Sequence, residues 1–206
     1  MNRPNLLRCC LASLETQTTD CNLHVLVACN SMEPSVQKLH RAVVLEDNTA
    51  DLYFTAQQCG ALDCYYAAEA LVGDGLATGE WIGFPSDDGY HTPNYLANML
   101  ASARENNWDF VYCDMLSSSF WLKDGSGPSP TRTDYEYINV SPVKTNNRYT
   151  IDKTCMLVKT ALFREIGFPG KLNGKPCGAD GMLAEELVRR GVRHGKARGG
   201  ALVVHS

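Results

Sequence analysis

Short apolar runs alternate with segments of helical periodicity along most of this sequence, and no other feature constrains its fold as strongly. Continuous apolar runs of a few residues predict buried strands, whereas apolar residues spaced three and four apart predict helices. Strands that alternate with helices usually build a largely parallel sheet with helices on its faces. The sequence therefore predicts an α/β fold with a mostly parallel central sheet flanked by helices.

The same pattern predicts the individual elements. We predict strands at 23–29, 41–45, 81–84, 109–113, 155–158 and 201–204. We predict helices at 4–14, at 60–76, from Thr92-Pro93 onwards, at 160–167 and at 180–190. A long loop is predicted at 123–149, which is rich in Gly, Pro, Ser, Thr and Asn. The chain has 206 residues and no internal repeat, so we expect one domain.

Composition argues against several classes of protein. The net charge is −4 and no basic stripe is present, so we expect no nucleic-acid partner. No apolar run approaches the ~20 residues of a membrane helix, and the start lacks a signal-peptide pattern. No C-x-x-C pair occurs, which disfavours a zinc site. Cys29, Cys113 and Cys155 lie inside apolar runs, as buried thiols do in a reducing compartment, so we expect a cytoplasmic protein.

Polar residues follow several of the predicted strands, and in α/β sheets ligands bind at the carboxyl ends of strands. These residues are Asn30, Asp87, Asp88, Asp114 and His205. Adjacent carboxylates such as Asp87-Asp88 repel each other and need a cation, hydrogen bonds or water. A divalent cation accepts carboxylate oxygens and leaves positions for phosphate oxygens. Because Asp-Gly is also a common turn pair, these residues alone leave both a turn and a metal site open.

Four stretches, in order along the chain, resemble inverting glycosyltransferases of family 2. NRPNLLRCCLASLETQT is similar to the first helix of their nucleotide-binding half. ATGEWIGFPSDDGYHTPNY looks like their central strand, acidic D-x-D-type motif and following helix. MLVKTALFREIGFP and GADGMLAEELVRRG are similar to the later elements of the same proteins. The resemblance implies a GT-A fold, Rossmann-like, in one domain over 1–206, with a nucleotide-sugar-binding half at 1–114 and an acceptor and catalytic half at 115–206.

The resemblance also implies roles for individual residues. Asp88 matches the acid that ligates the metal, Mn²⁺ or Mg²⁺, and Asp87 takes the middle place of the motif, beside the donor. Asp180 matches the general base, and a carboxylate at a helix start is also a good N-cap. His205 is expected to complete the metal site, where Mn²⁺ tolerates an imidazole better than Mg²⁺ does. The remaining expected nucleotide-sugar contacts are Arg3 and Asn30.

The chain departs from the family pattern at three places. The family has an apolar strand before its N-R-P motif, whereas Met1 stands directly before that motif here, so we expect the usual first strand to be missing from the sequence as given. Ala28 stands where an acid often recognises the base. The stretch 69–73 lacks the usual Arg-Asn pair near the diphosphate.

The resemblance implies a metal-dependent, hexosyltransferase-like enzyme. It would move a sugar, with inversion, from a UDP-, GDP- or TDP-sugar to a hydroxyl of a carbohydrate or another acceptor. Trp121, Tyr135 and Tyr137 are candidates for stacking on a sugar. Two alternatives stay open: a sugar nucleotidyltransferase, and a non-catalytic nucleotide- or carbohydrate-binding module derived from such an enzyme. The departures favour the module, whereas the joint presence of Asp88 and Asp180 favours the enzyme.

Overall fold

The computed structural model describes residues 4–29, 31, 33–46, 50–54, 63–117, 136–169 and 179–205. Its helices are α1 (Pro4–Glu15), α2 (Pro34–Glu46), α3 (Asp63–Gly73), α4 (Tyr95–Asn106), α5 (Thr160–Ile166) and α6 (Ala179–Arg189). Its strands are β1 (Val25–Cys29), β2 (Ala50–Phe54), β3 (Trp81–Gly83), β4 (Gly89–His91), β5 (Phe110–Ser117), β6 (Glu136–Ile138), β7 (Met156–Lys159) and β8 (His194–His205). A short 3-10 helix, Lys153–Cys155, precedes β7. None of the described helices combines the length and apolar character needed to cross a membrane.

The strands form a small sheet and a large one. β1 and β2 pair in parallel and make the small sheet. The large sheet has the order β3-β7-β5-β8-β4, with β6 added alongside β5. In the large sheet only β5 and β8 run parallel among the described strands, and the other pairs are antiparallel.

The α/β architecture is confirmed, but the prediction of a mostly parallel sheet is wrong, because the sheet is mixed. β4 follows β3 after only five residues with no helix between them, and the two strands lie at opposite ends of the strand order. The three-residue strands β4 and β6 are too short to be recognised from hydrophobic periodicity, so the strand-helix alternation in the sequence overstates the parallel pairing.

Two hydrophobic cores stabilise the fold. The larger one lies against the large sheet, where α4, α5 and α6 cover strands β5, β7 and β8. Its most buried side chains include Met99, Phe110, Val111, Met156, Val158, Phe163, Leu183, Leu187 and Val203. The smaller one holds α1 and α2 against β1 and β2 through Leu7, Leu11, Val43 and Val44.

The predicted strand at 41–45 is instead the last part of α2. Its β-branched residues favour a strand locally, but Val43 and Val44 reach the smaller core from a helix while Leu45 is 75% exposed. Burial against α1 therefore overrides local propensity. The last strand is also longer than predicted, because β8 begins at His194 rather than near 201.

Helix α1 ties the smaller core to the large sheet. The side-chain nitrogen of Gln17, just past α1, donates to the carbonyl of Thr92 at 2.8 Å, and its Oε1 accepts from the backbone N–H of Leu96 at 2.9 Å. The second bond satisfies an orphan donor in the first turn of α4. The helix predicted from Thr92-Pro93 onwards begins at Tyr95, and its N-cap residue Asn94 makes no side-chain cap bond. The start of α4 is thus held from α1.

Candidate active site

The Asp87-Asp88 pair lies in a tight turn between β3 and β4. The carbonyl of Ser86 accepts a hydrogen bond from the N–H of Gly89 at 3.0 Å, which closes the turn. The hydroxyl of Ser86 donates to Asp88 Oδ1 at 2.5 Å, and both aspartates are half-buried. The turn therefore exists, and a bond within it orients the Asp88 carboxylate.

The charges of the two aspartates act on α1 and α2. Burial, assisted by the charges of Asp87 and Asp88, raises the pKa of the Cys10 thiol in α1 to about 12. Burial lowers the pKa of His40 in α2, and the charge of Asp87 opposes that shift. His40 Nδ1 lies 3.0 Å from Cys29 Sγ, at the end of β1. The carboxylates of the aspartate turn thus influence titratable groups on α1 and α2, and α2 contacts the carboxyl end of β1 through His40.

The end of β8 comes next to the aspartate turn. Gly89, which follows Asp88, pairs with His205 across β4 and β8, and Ser117 of β5 pairs with His205 on the other side. The register between β5 and β8 shifts near Gly199 and Gly200, whose φ angles are +107° and +72°. Glycine adopts positive φ angles without strain, and a bulge of this kind changes the direction of the strand end. The backbone thereby brings the predicted metal ligands Asp88 and His205 together, although the His205 side chain lies outside the described part of the chain.

Asp180 lies in the first turn of α6 and is 8% exposed. Its Oδ1 accepts from the N–H of Gly181 at 2.9 Å, and its Oδ2 accepts from the N–H of Lys153 at 3.3 Å. Burial, followed by the like charge of Asp152, raises the pKa of Asp180, while both N–H bonds and the Lys153 ammonium oppose that shift. A carboxylate with a raised pKa is the better proton acceptor when it is ionised.

The 3-10 helix Lys153–Cys155 connects Asp180 with the aspartate turn. Thr154 packs against the start of β4, since a Cβ placed on Gly89 would lie 3.7 Å from Thr154 Cγ2. The neighbouring Lys153 donates its N–H to Asp180. Asp152 caps this 3-10 helix by accepting from the N–H and the hydroxyl of Thr154, at 2.8 and 2.7 Å. We did not predict this helix, although the Asp-x-Thr capping pattern at 152–154 was available as a signal.

Two ring side chains hold the 3-10 helix from behind. The carbonyl of Thr154 accepts from His91 Nε2 at 3.3 Å and from the Tyr95 hydroxyl at 3.4 Å. His91 is buried, and this burial lowers its pKa to about 4, so the ring is neutral at pH 7. Its Nδ1 has no hydrogen-bond partner among the described residues.

Tyr149 packs directly on the first turn of α6. A Cβ placed on Gly181 would lie 2.2 Å from Tyr149 Cγ, so only glycine allows this approach. The Tyr149 hydroxyl donates to Glu185 Oε2 at 2.7 Å. Burial, the bond to Glu185 and the charges of Glu185 and Asp180 raise the pKa of Tyr149 to about 12. Tyr149 was not among the predicted site residues and lies next to Asp180.

Two other sequence-based expectations concern β5 and β6. Asp114 is not at a strand end, because β5 continues to Ser117. Its buried carboxylate accepts from the Tyr137 hydroxyl at 2.5 Å, from the Val140 N–H at 2.8 Å and from Lys196 Nζ at 2.6 Å. Tyr137 is 53% exposed, and its hydroxyl serves this network. The other expected contacts, Arg3, Asn30, Trp121 and Tyr135, lie outside the described residues.

A cavity of about 650 Å³ lies between α3 and α5, away from these acids. It is lined by residues that include Glu69, Val72, Arg164 and Phe168. Asp87, Asp88 and Asp180 are not among its lining residues. We therefore locate the candidate active site by its chemistry, at the aspartate turn and Asp180, and not by the size of a cavity.

The sequence matches no protein-family model, and no curated protein matches it significantly. Solved structures do resemble it. S. aureus TarS (residues 1–349) with UDP has a TM-score of 0.68 at 18% identity, over 98% of this chain and 57% of the TarS chain in that structure. The TarS complex with UDP-GlcNAc has a TM-score of 0.70 at 17% identity, over 98% and 55%. The mannosyltransferase PcManGT from Pyrobaculum calidifontis, with GDP-Man and Mn²⁺, has a TM-score of 0.69 at 16% identity, over 99% and 54%.

This chain thus spans little more than half of each of these solved chains, and 35% of the chain in a further structure of S. aureus TarS. Identities below one fifth establish the architecture and leave the activity to be argued from the site. The fold expected from the sequence resemblance is confirmed: the chain has the GT-A fold of glycosyltransferases.

Proposed function

We propose that this chain is a family 2-type glycosyltransferase that moves a sugar from a nucleoside diphosphate sugar to an acceptor hydroxyl, with inversion. The observation that carries the proposal is the arrangement of the Asp87-Asp88 turn and Asp180 around the 3-10 helix Lys153–Cys155. The similar folds that were solved with UDP, UDP-GlcNAc or GDP-Man and Mn²⁺ support the donor class.

The residues at the aspartate turn fit a divalent cation. Asp88 supplies a carboxylate that is already oriented, and His205 pairs through its backbone with the next residue. Among the described side chains no group of three metal-ligating residues converges, so the proposed ligands are Asp88 and His205, with further positions left for donor oxygens. Carboxylate and imidazole together suit Mn²⁺, and bound there it would neutralise charge on the leaving diphosphate. Asp87, Arg3 and Asn30 are proposed to contact the donor.

Asp180 is the proposed general base. It removes the proton from the acceptor hydroxyl while that oxygen forms a bond to the anomeric carbon. The bond from this carbon to the diphosphate breaks, the nucleoside diphosphate leaves, and attack from the opposite side inverts the centre. Each Asp180 oxygen accepts one hydrogen bond within the described structure, so lone pairs remain for the proton.

Donor binding tests the metal site. We expect one class among UDP-, GDP- and TDP-sugars to raise the melting temperature in the presence of Mn²⁺, and Asp88→Ala to abolish that rise. The matched control is Asp74→Ala, which removes an exposed aspartate after α3 and should leave the rise intact. The proposal fails if none of these donors binds with either Mn²⁺ or Mg²⁺.

Asp180→Asn separates binding from chemistry. We expect the variant to bind the donor normally and to release nucleoside diphosphate about 10²- to 10⁴-fold more slowly, because the amide cannot accept the proton. A sugar nucleotidyltransferase would release no nucleoside diphosphate from the nucleotide sugar, but would release pyrophosphate from a nucleoside triphosphate and a sugar 1-phosphate. A binding module would release nothing, even from the wild-type chain. Full activity of Asp180→Asn would remove Asp180 as the base.

Two broader expectations belong to the same proposal. The nucleotide-sugar half is 1–114 and the acceptor half is 115–206. The environment is a reducing cytoplasm, which agrees with Cys29, Cys113 and Cys155 lying buried as thiols and not in disulfides.

A further inference from the structure

A tight turn close to Asp180 has a preset conformation. Thr145 and Arg148 exchange two backbone hydrogen bonds, at 2.9 and 3.0 Å. The residues between them, Asn146 and Asn147, have φ angles of 51° and 61°. Two successive positive φ angles characterise the type I′ turn, and asparagine tolerates them well. We call residues 144–149 the 144–149 turn; little conformational entropy remains to be lost when it binds a ligand.

The 144–149 turn is anchored beside the proposed base. Its last residue, Tyr149, packs on Gly181 and donates its hydroxyl to Glu185. Gly181 follows Asp180 directly, so the Tyr149 ring packs on the residue next to the proposed base. The Tyr149 end of the turn therefore lies beside the residue proposed to take the acceptor proton.

The 144–149 turn presents two cations without anionic partners. Lys144 Nζ lies 4.8 Å from the centroid of the Tyr149 ring, and both Lys144 and Arg148 are exposed. Within the described residues neither side chain has a carboxylate partner. By contrast, exposed Arg193 pairs with Asp109 and exposed Arg198 pairs with Glu105. On a chain of net charge −4, two like charges left uncompensated on a rigid turn favour an anionic ligand.

We propose that the 144–149 turn is the acceptor subsite and selects acceptors that carry a negative charge, as a phosphate or a carboxylate, near the reacting hydroxyl. Arg148 can pair with such a group through two parallel hydrogen bonds, and Lys144 adds a point charge. The amides of Asn146 and Asn147 can hydrogen-bond sugar hydroxyls. This inference rests on the proposed function, which assigns the donor diphosphate to the aspartate turn and leaves the side of Asp180 to the acceptor.

The test is a titration of the ¹⁵N-labelled full chain, followed by NMR, with glucose 6-phosphate, glucuronate and neutral glucose. We expect at least one charged sugar to shift the amides of the 144–149 turn with an affinity tenfold or more above that of glucose. The stronger of the two charged sugars identifies phosphate or carboxylate as the recognised group. The double variant Lys144→Glu/Arg148→Glu should weaken this binding tenfold or more.

Controls keep the test decisive. Lys38→Glu changes an exposed lysine of α2 and should leave the titrations unchanged. If the double variant unfolds, Arg148→Glu alone replaces it, because this side chain makes no described contact that the fold needs. Shifts of equal strength with glucose would overturn the inference, and so would charged-sugar binding that survives charge reversal.

The donor provides a second, separate readout. The double variant should bind a UDP-sugar with Mn²⁺ as the wild-type chain does. Weakened donor binding together with unchanged glucose 6-phosphate binding would assign the turn to the donor and overturn the inference. Because the sugar titrations need no donor, failure of the proposed function and failure of this inference are distinguishable.

Discussion

At the scale of single residues, the environment of Asp180 decides what its carboxylate can do. Burial and the like charge of Asp152 favour its protonated form, whereas Lys153 and two N–H donors favour its ionised form. The first effects outweigh the second, so the pKa of Asp180 lies above that of an ordinary aspartate. Proton acceptance is therefore lost at a higher pH than it would be for an exposed aspartate.

Asp152→Asn tests this balance. The asparagine oxygen can still accept both bonds from Thr154, but the like charge disappears, so we expect the pKa of Asp180 to fall. The measurement is a ¹³C NMR titration of the Asp180 carboxyl, with unchanged Thr154 amide shifts as the control for structure. If the chain transfers a sugar as proposed, the acid limb of its pH profile should move to lower pH. An unchanged or higher pKa of Asp180 would contradict the electrostatic account.

Gly181 and Tyr149 should show strong energetic coupling. Gly181→Ala places a methyl group within the Tyr149 ring, so we expect a loss of about 1–3 kcal/mol of stability. In a Tyr149→Ala background the ring is absent, and the same substitution should become neutral or slightly stabilising because alanine suits a helix better than glycine. Urea unfolding of the four chains measures the cycle. If the stability losses of the two single variants simply add up in the double variant, the Tyr149 ring does not pack on Gly181.

At the scale of elements, a short 3-10 helix and the three-residue strand β4 position the side chains of the candidate site. The 3-10 helix Lys153–Cys155 contacts the start of β4 through Thr154 and the start of α6 through Lys153. His91 on β4 supports it from behind. Because His91 is neutral when it makes this bond, its protonation should disturb the 3-10 helix.

We expect His91 to make the fold acid-sensitive. The unfolded chain binds a proton at this ring below its ordinary pKa of 6.5, whereas the folded chain resists protonation until about pH 4. The stability that depends on a neutral His91 ring is fully present above about pH 6.5. As the pH falls towards 4, about 2–3 kcal/mol of the free energy of unfolding is lost. His91→Leu should remove this part of the pH dependence when urea unfolding is compared at about pH 7.5 and about pH 4.5.

The exposed His24, changed to Leu, is the control for this comparison. That variant should retain the full acid sensitivity of the wild-type chain. Equal pH dependence in wild type and His91→Leu would show that the acid sensitivity arises elsewhere.

The sequence predicted most elements but not all of their boundaries. The apolar face of α1 and the run that forms β7 are strong local signals, and both were predicted within a few residues. The run at 41–45 was misread because its valines are buried from a helix. β4 and β6 were missed because three residues carry too little periodicity. Among the site residues, Asp180 was predicted at a helix start and lies there, while Tyr149 was missed because only Gly181 reveals its packing.

At the scale of the whole molecule, two cores of unequal size share one chain. Four buried residues of α1 and α2 cover the β1–β2 sheet, and most of β1 is only half-buried. Strand β7 and the first five residues of β5 are largely buried in the larger core. Local stability should follow this difference, because local opening costs less where less apolar surface is buried.

Hydrogen exchange measures the difference directly. We expect the amides of β1 and β2 to exchange through openings of lower free energy than those of β5 and β7. The readout is native-state exchange followed by NMR across increasing denaturant. If all four strands exchange only through global unfolding, the two cores form a single cooperative unit and this expectation is wrong.

The sequence by itself determined the α/β class, the order of most helices and strands, the acidic turn after β3 and the aspartate at the head of α6. These features depend on local patterns of apolar spacing, turn residues and helix starts, which neighbouring residues encode. Only the tertiary structure decided that the large sheet is mixed, that Gly89 pairs with His205, and that a 3-10 helix lies between Asp180 and the aspartate turn. Pairing and packing between distant segments depend on which surfaces can be buried together, and no single stretch of sequence contains that information.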